Sequence, residues 1–284
     1  MRLPADLAGR RAGPFAHEVD ARWLMAFAAA LGETAAGYLD TTRPEGLLAH
    51  PLFPVCYEWP AALRLRADFP GEVAVRGVHA SHDVRLERLP RAGDRLATTA
   101  VVTRVAPRTP GALVLTRFTT LDAAGRVVST TDYGTLYLGV ECEAWDQEAA
   151  VEAPPALADD ARWSQPVPVA ATLAHVYTEC ARIWNPIHTD RAVALAAGLP
   201  DIILHGTATL GLAVSAVVRR AAGADPRRVR RIAGRFGAMV RLPSTLTVEG
   251  LGTQEGAEGR WVGFRVLTEE GRPAVRDGRV LLAR

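Results

Sequence analysis

Apolar residues recur along this chain with two periods, one near 3.6 and one of 2, and the same succession of the two occurs twice. Between Val19 and Leu31, Trp23, Phe27 and Leu31 stand four residues apart and so fall on one helical face. Asp20 supplies a cap before that run and Gly32 a stop after it. A turn at Ala49-His50-Pro51 follows, with Pro51 suited to the first position of a second helix that reaches about Leu65. The period then shortens. His79 to Leu86, Leu96 to Val105, Leu113 to Leu121 and Val127 to Leu138 alternate as strands. Turns at Arg91-Ala92-Gly93-Asp94 and Asp122-Ala123-Ala124-Gly125 join them.

The second half repeats the order. Leu173, Val176, Tyr177, Cys180 and Ile183 form a helical stripe within Thr172 to Trp184. A short helix from Thr189 to Ala197 has Thr189 as its N-cap and Gly198 at its end. Leu204-His205-Gly206 opens an apolar helix to about Ala222, with Arg219 and Arg220 near its negative pole. Strands at Arg231 to Val240, Leu246 to Leu251, Trp261 to Leu267 and Pro273 to Leu282 close the half, with a hairpin at Glu269-Glu270-Gly271. Helices followed by antiparallel strands, twice over, are the pattern of two tandem α+β units. A helix apolar nearly all round, as after Gly206, suits a sheet wrapped around it. The units divide as 1–139 and 161–284. Between them, 140–160 carries seven acidic residues, no basic one and the pair Pro154-Pro155, and reads as a solvated linker.

Composition narrows the function. A chain of 284 residues with 49% hydrophobic and 23% charged residues can bury a core. No apolar run is long enough to span a bilayer, the first residues lack a signal peptide's apolar stretch, and a cytoplasmic protein without membrane partners is expected. Cys56, Cys142 and Cys180 are far apart, with neither CxxC pairing nor metal-ligand spacing, so neither disulfides nor a metal site is expected. A net charge of +2 gives no footprint for nucleic acid. All 33 basic residues are Arg, which removes Schiff-base chemistry on lysine. A compositional bias of the genome accounts for that, and Arg chosen for phosphate contacts is the functional alternative, with Arg227, Arg228, Arg230, Arg231 and Arg235 as its densest run.

The chemistry concentrates in the segment from Tyr177 to His188, which ends Asn185-Pro186-Ile187-His188, and in the His205-Gly206 turn. Alone, Asn-Pro-x-His is a turn with a histidine nearby. With the spacing to Tyr177, Asp190 two residues on and the His-Gly turn after it, the segment resembles the signature of the MaoC-like, or type 2 enoyl-CoA, hydratases. The resemblance extends to the first half through Ala49-His50-Pro51, the His79 region and Ala92-Gly93-Asp94. It implies a double hotdog fold, a catalytic C-terminal unit and an N-terminal unit that accommodates the acyl chain. It further implies hydration or dehydration of an acyl thioester carried by coenzyme A or an acyl-carrier protein, without cofactor, in a protein expected to be a homodimer.

On that resemblance His188 is the general acid and base, Asn185 pins the loop or the water, and the Gly206 N–H is an oxyanion donor at a positive helix start. Tyr177, Trp184, His205 and Arg235 are expected around the substrate. One departure stands out: Arg182-Ile183 replaces the family's Gly-Asp, so the acid beside the histidine is missing. Glu179 precedes Ile183 by four residues, so it lies on the same helical face one turn away and is the best candidate to replace it, with Asp190 and His205 as others. Glu179 is equally a solvated helix residue, His205 equally a packing or capping residue, and Asp190 a weaker substitute. Thioester hydrolysis and a non-catalytic acyl-thioester-binding subunit are the alternative functions.

Overall fold

The computed structural model describes residues 1–147 and 152–284, so part of the acidic segment lies outside it. Eleven strands form one sheet: β1 (Arg11–Glu18), β2 (Gly77–Leu86), β3 (Arg95–Arg108), β4 (Gly111–Asp122), β5 (Val127–Leu138), β6 (Trp145–Asp146), β7 (Trp163–Val169), β8 (Val229–Phe236), β9 (Ser244–Gly256), β10 (Gly259–Leu267) and β11 (Pro273–Leu282). The helices are α1 (Ala21–Ala30), the single turn α2 (Ala36–Leu39), α3 (Pro54–Arg66), the single turn α4 (Gly71–Ala74), α5 (Leu173–Ala181), α6 (Arg191–Ala196) and α7 (Gly206–Ala221).

The strand order is β1-β3-β4-β5-β2-β8-β11-β10-β9-β7, with β6 alongside β3. Read outward from the β2·β8 seam, each side has the same order: second, last, second-to-last, third, first strand of its unit. The seam is antiparallel and sets Ser81 opposite Arg235 and Asp83 opposite Ala233. This is the tandem hotdog, two duplicated units closed into a single α+β sheet. Every residue of α7 from Thr207 to Val218 is buried, which is why that helix has no polar face. One apolar cluster spans both units, with Phe27, Tyr57, Tyr177, Leu210, Ile232 and Phe264 among its members. A second fills the N-terminal unit around Phe118 and Tyr137. Among the described residues no helix is long and apolar enough to cross a membrane.

Caps decide where the helices begin and end. The Asp20 carboxylate accepts the Trp23 N–H at 2.7 Å and starts α1. α3 begins at Pro54 rather than after Pro51, because residues 51–53 complete a turn around His50 first. α6 is capped by Asp190 rather than Thr189, the Asp190 carboxylate accepting the N–H groups of Ala192 and Val193. α5 ends at Ala181, three residues before the expected Trp184, because Arg182 adopts φ 57°, in the left-handed region. The Ile183 N–H then bonds the Thr178 carbonyl and the Arg182 N–H the Glu179 carbonyl, the two bonds of a Schellman motif.

β1 and β7 have no counterpart among the expected strands. They are the two edges of the sheet and carry Pro14, and Pro166 with Pro168. Prolines mark a segment as non-strand unless it lies at an edge, where a missing N–H breaks no ladder. The segment read as a solvated linker is held to the sheet where it is described. Trp145 and Asp146 pair with β3, the Arg231 guanidinium donates to the Glu152 carbonyl, and Arg279 donates to that of Pro155.

Candidate active site

Three local structures converge at the start of α7. α5 brings Tyr177 and Thr178, the turn Pro186–His188 brings the histidine, and the loop before Gly206 brings Ile203 and His205. His188 is the last residue of a one-turn 3-10 helix begun by Pro186, and its N–H bonds the Asn185 carbonyl at 3.1 Å. Its Nδ1 lies 2.8 Å from the Ile203 carbonyl. A carbonyl only accepts, so Nδ1 carries the proton and Nε2 the lone pair. Burial pulls the ring's pKa down to about 4, partly opposed by that carbonyl, so His188 is a neutral base at neutral pH.

The His205 ring stacks on His188, centroids 3.7 Å apart. It is 2% exposed, its Nε2 lies 3.0 Å from the Thr178 hydroxyl, and its buried Nδ1 has no hydrogen-bond partner among the described residues. Burial, with the nearby His188 adding to it, holds His205 well below the usual imidazole range. Tyr177 is fully buried, donates to the Thr207 hydroxyl at 3.1 Å and packs at a tilt on His205, ring centroids 5.0 Å apart. Tyr177 therefore braces His205 and the first turn of α7.

Gly206 is the first residue of α7, and no side chain caps that end. Its amide is one of the donors a helix start leaves unpaired. A Cβ there would lie 3.2 Å from the Phe236 ring, so glycine keeps this approach open.

The structure separates other candidates from this group. The left-handed turn at Arg182 takes Ile183 out of the helix, so the geometry that recommended Glu179 does not exist. Glu179 is exposed, and its bond is from the Trp184 indole at 3.4 Å. Trp184 is itself 59% exposed. Ile183 turns inward and is 5% exposed, the apolar contact typical of the residue after a left-handed helix end. The Asp190 carboxylate is taken up in capping α6. Asn185 is half-buried, and its side chain caps nothing.

Arg235 lies on the far side of the sheet. Successive side chains of a strand point to opposite faces. Gly234 and Phe236 face α7, whereas Arg235 pairs with Asp277 and lines an outer cleft of about 500 Å³ with Asp83 and Arg279. Sequence reasoning missed Thr178, Thr207 and the Ile203 carbonyl. Thr178 and Thr207 each adjoin a residue it had singled out, but a backbone carbonyl carries no sequence signal at all.

Comparison with known proteins adds the following. Residues 140–261 match the model of the MaoC like domain, and residues 6–131 match the FAS1-like, dehydratase domain region. A peroxisomal enoyl-CoA hydratase 2 of Arabidopsis thaliana is 36% identical over 97 residues, covering 34% of this chain and 30% of that protein. Enoyl-CoA hydratase ChsH3 of Mycobacterium tuberculosis is 27% identical over 181 residues, covering 58% of this chain and 62% of its own length. The chain thus spans less than two thirds of these relatives. The crystal structure of a MaoC-like dehydratase from Phytophthora capsici superposes with a TM-score of 0.83 at 22% identity, over 99% of this chain and 98% of that one.

Proposed function

From a chain that carries a MaoC-like domain in its C-terminal half and a FAS1-like dehydratase region in its N-terminal half, we propose a hydro-lyase that adds water to an enoyl thioester or removes it from a 3-hydroxyacyl thioester. The enoyl-CoA hydratases among its relatives point to coenzyme A as the carrier. An acyl-carrier protein would present the same thioester.

The observation that carries this reading is the state of His188: Nδ1–H held by the Ile203 carbonyl, Nε2 unprotonated, the ring neutral. As the water oxygen bonds to Cβ of the enoyl group, Nε2 takes a proton from that water. Negative charge moves to the thioester oxygen, and Cα then takes up a proton from the imidazolium. The Gly206 amide at the positive end of α7 stabilises the oxyanion, a contribution commonly of about 3 kcal/mol for one donor. With Ile183 where an acid is expected, both proton transfers pass through His188, and the stacked neutral His205 holds the ring in place. The test is loss of the conjugated enoyl absorbance with crotonyl-CoA or longer enoyl-CoA. His188→Ala should reduce kcat at least about a thousandfold while leaving the fold intact.

Ile183 also supports a second reading. Without an acid on the water, the same base could direct it at the thioester carbonyl. Free thiol release with the double bond retained would identify hydrolysis instead.

A further inference from the structure

We propose that the N-terminal unit contains a carboxylate-binding subsite, built on Arg66 at the end of α3. A cavity of about 30 Å³ lies there between α3 and strands β3 to β5, with Arg66, Thr116, Tyr133, Thr135 and Tyr137 as its polar lining. The rest of its wall is apolar, and no acidic residue lines it. The volume admits a carboxylate-sized group.

Unmatched donors make this cavity a site. Among the described residues Arg66 has no carboxylate partner, and its contact is the Trp59 ring at 4.9 Å. Its neighbours Arg10 and Arg64 each have an acidic partner. Thr116 and Tyr137 are 7% and 4% exposed, and their hydroxyls have no protein partner among the described residues while staying accessible from the cavity. A half-buried guanidinium beside unbonded hydroxyls in an apolar setting is the complement of a carboxylate, which accepts a forked pair of bonds from Arg and single bonds from hydroxyls. The carbonyl end of α3 is the opposing feature, a partial charge that the full charge of Arg66 outweighs.

A line of packed rings joins the cavity wall to the candidate active site. Tyr133 stacks on His79 at 3.8 Å, and His79 lies 4.5 Å from the Phe236 ring, which sits under Gly206. Two ring contacts thus separate the carboxylate subsite from the start of α7. The carboxylate has two sources: a free small carboxylic acid, or the far end of a dicarboxylic acyl thioester, the latter resting on the function proposed above.

The experiment has two arms on the full chain. In the first, glutarate and its dimethyl ester are added during thermal unfolding. Glutarate should raise Tm by a few degrees and the ester should not. Arg66→Met should abolish the rise, Arg66→Lys should retain part of it and Tyr137→Phe should reduce it, with circular dichroism confirming that each variant folds. An equal rise in wild type and Arg66→Met, or none in either, overturns the subsite. The second arm compares glutaconyl-CoA with crotonyl-CoA. A preference for glutaconyl-CoA whose kcat/KM ratio falls about tenfold or more in Arg66→Met identifies the acyl source. A glutarate-dependent Tm rise without that preference identifies the free acid. If neither thioester is turned over, the hydro-lyase reading fails while the first arm still decides the subsite.

Discussion

At the start of α3 the backbone is closed, and at the start of α7 it is open. Phe53 precedes α3, and Pro54, at its first position, has no N–H to offer. The histidine of that turn is fully employed: the Leu52 N–H donates to His50 Nδ1 at 3.1 Å, and His50 Nε2 meets Ser215 Oγ at 3.1 Å. Across the seam, α7 begins with Gly206, and His188 keeps one ring nitrogen without a partner among the described residues. The units share a strand order and differ in which donors and lone pairs their helix starts leave free. Topology supplies the place, and two or three residues at a helix end decide whether chemistry happens there.

Transplanting the closed start should break the comparison most strongly after loss of His188 itself. Gly206→Pro should lower kcat about 100- to 1000-fold with helix content unchanged, because proline fits the first helical position but removes the amide. Gly206→Ala introduces the same crowding against Phe236 while keeping the N–H, and should cost about tenfold or less. Steady-state kinetics on one enoyl-CoA separates the two.

Restoring an acid sharpens the comparison. Ile183→Asp should raise kcat about tenfold and lower Tm by several degrees, since a buried carboxylate replaces a buried apolar contact. A fall in both would show that the inward turn after Arg182 does not aim this position at the water.

The N-terminal unit should dominate the response to pH. Burial raises the Glu58 carboxyl to about 8, above its unfolded value, so the native state keeps a proton the unfolded chain loses. The contribution of Glu58 should therefore fall between roughly pH 4.5 and 8, by about 1.4 kcal/mol per unit at most. His50, lowered to about 3, and His82 and His188, lowered to about 4, work oppositely, adding stability as pH rises toward about 6.5. Glu58→Gln should flatten only the decline, as read from Tm across pH 5 to 9. The smallest effect belongs to Arg182→Gly. Relief of the left-handed conformation is offset by loss of the stacking on Trp23 and of the Asp20 pair, leaving a change within about 1 kcal/mol.

Much of this was legible in the sequence, because periodicity reports burial. Val127–Leu138 emerged as a strand with the bounds read from its alternation, and the helix after Gly206 with its end one residue away. What stayed hidden depended on partners distant in sequence. β1 and β7 look like proline-broken loops until β3 and β9 pair with one side of each. The replacement role given to Glu179 assumed a helix through Ile183, and Arg182, a residue that does not ordinarily enter the left-handed region, gave no warning. Arg235 was drawn toward the substrate by its charge, yet strand alternation sends it to the other face.

The prolines at both ends of the sheet have a consequence for behaviour in concentrated solution. A sheet of eleven strands presents two long margins of backbone, the feature by which β-proteins nucleate fibres. In β7, Pro166 and Pro168 stand two residues apart, so their nitrogens face the same way, outward from β9. An incoming strand finds two donors missing along that margin. Replacing both prolines with threonine would complete the row and turn an end of the sheet into a template for the next molecule.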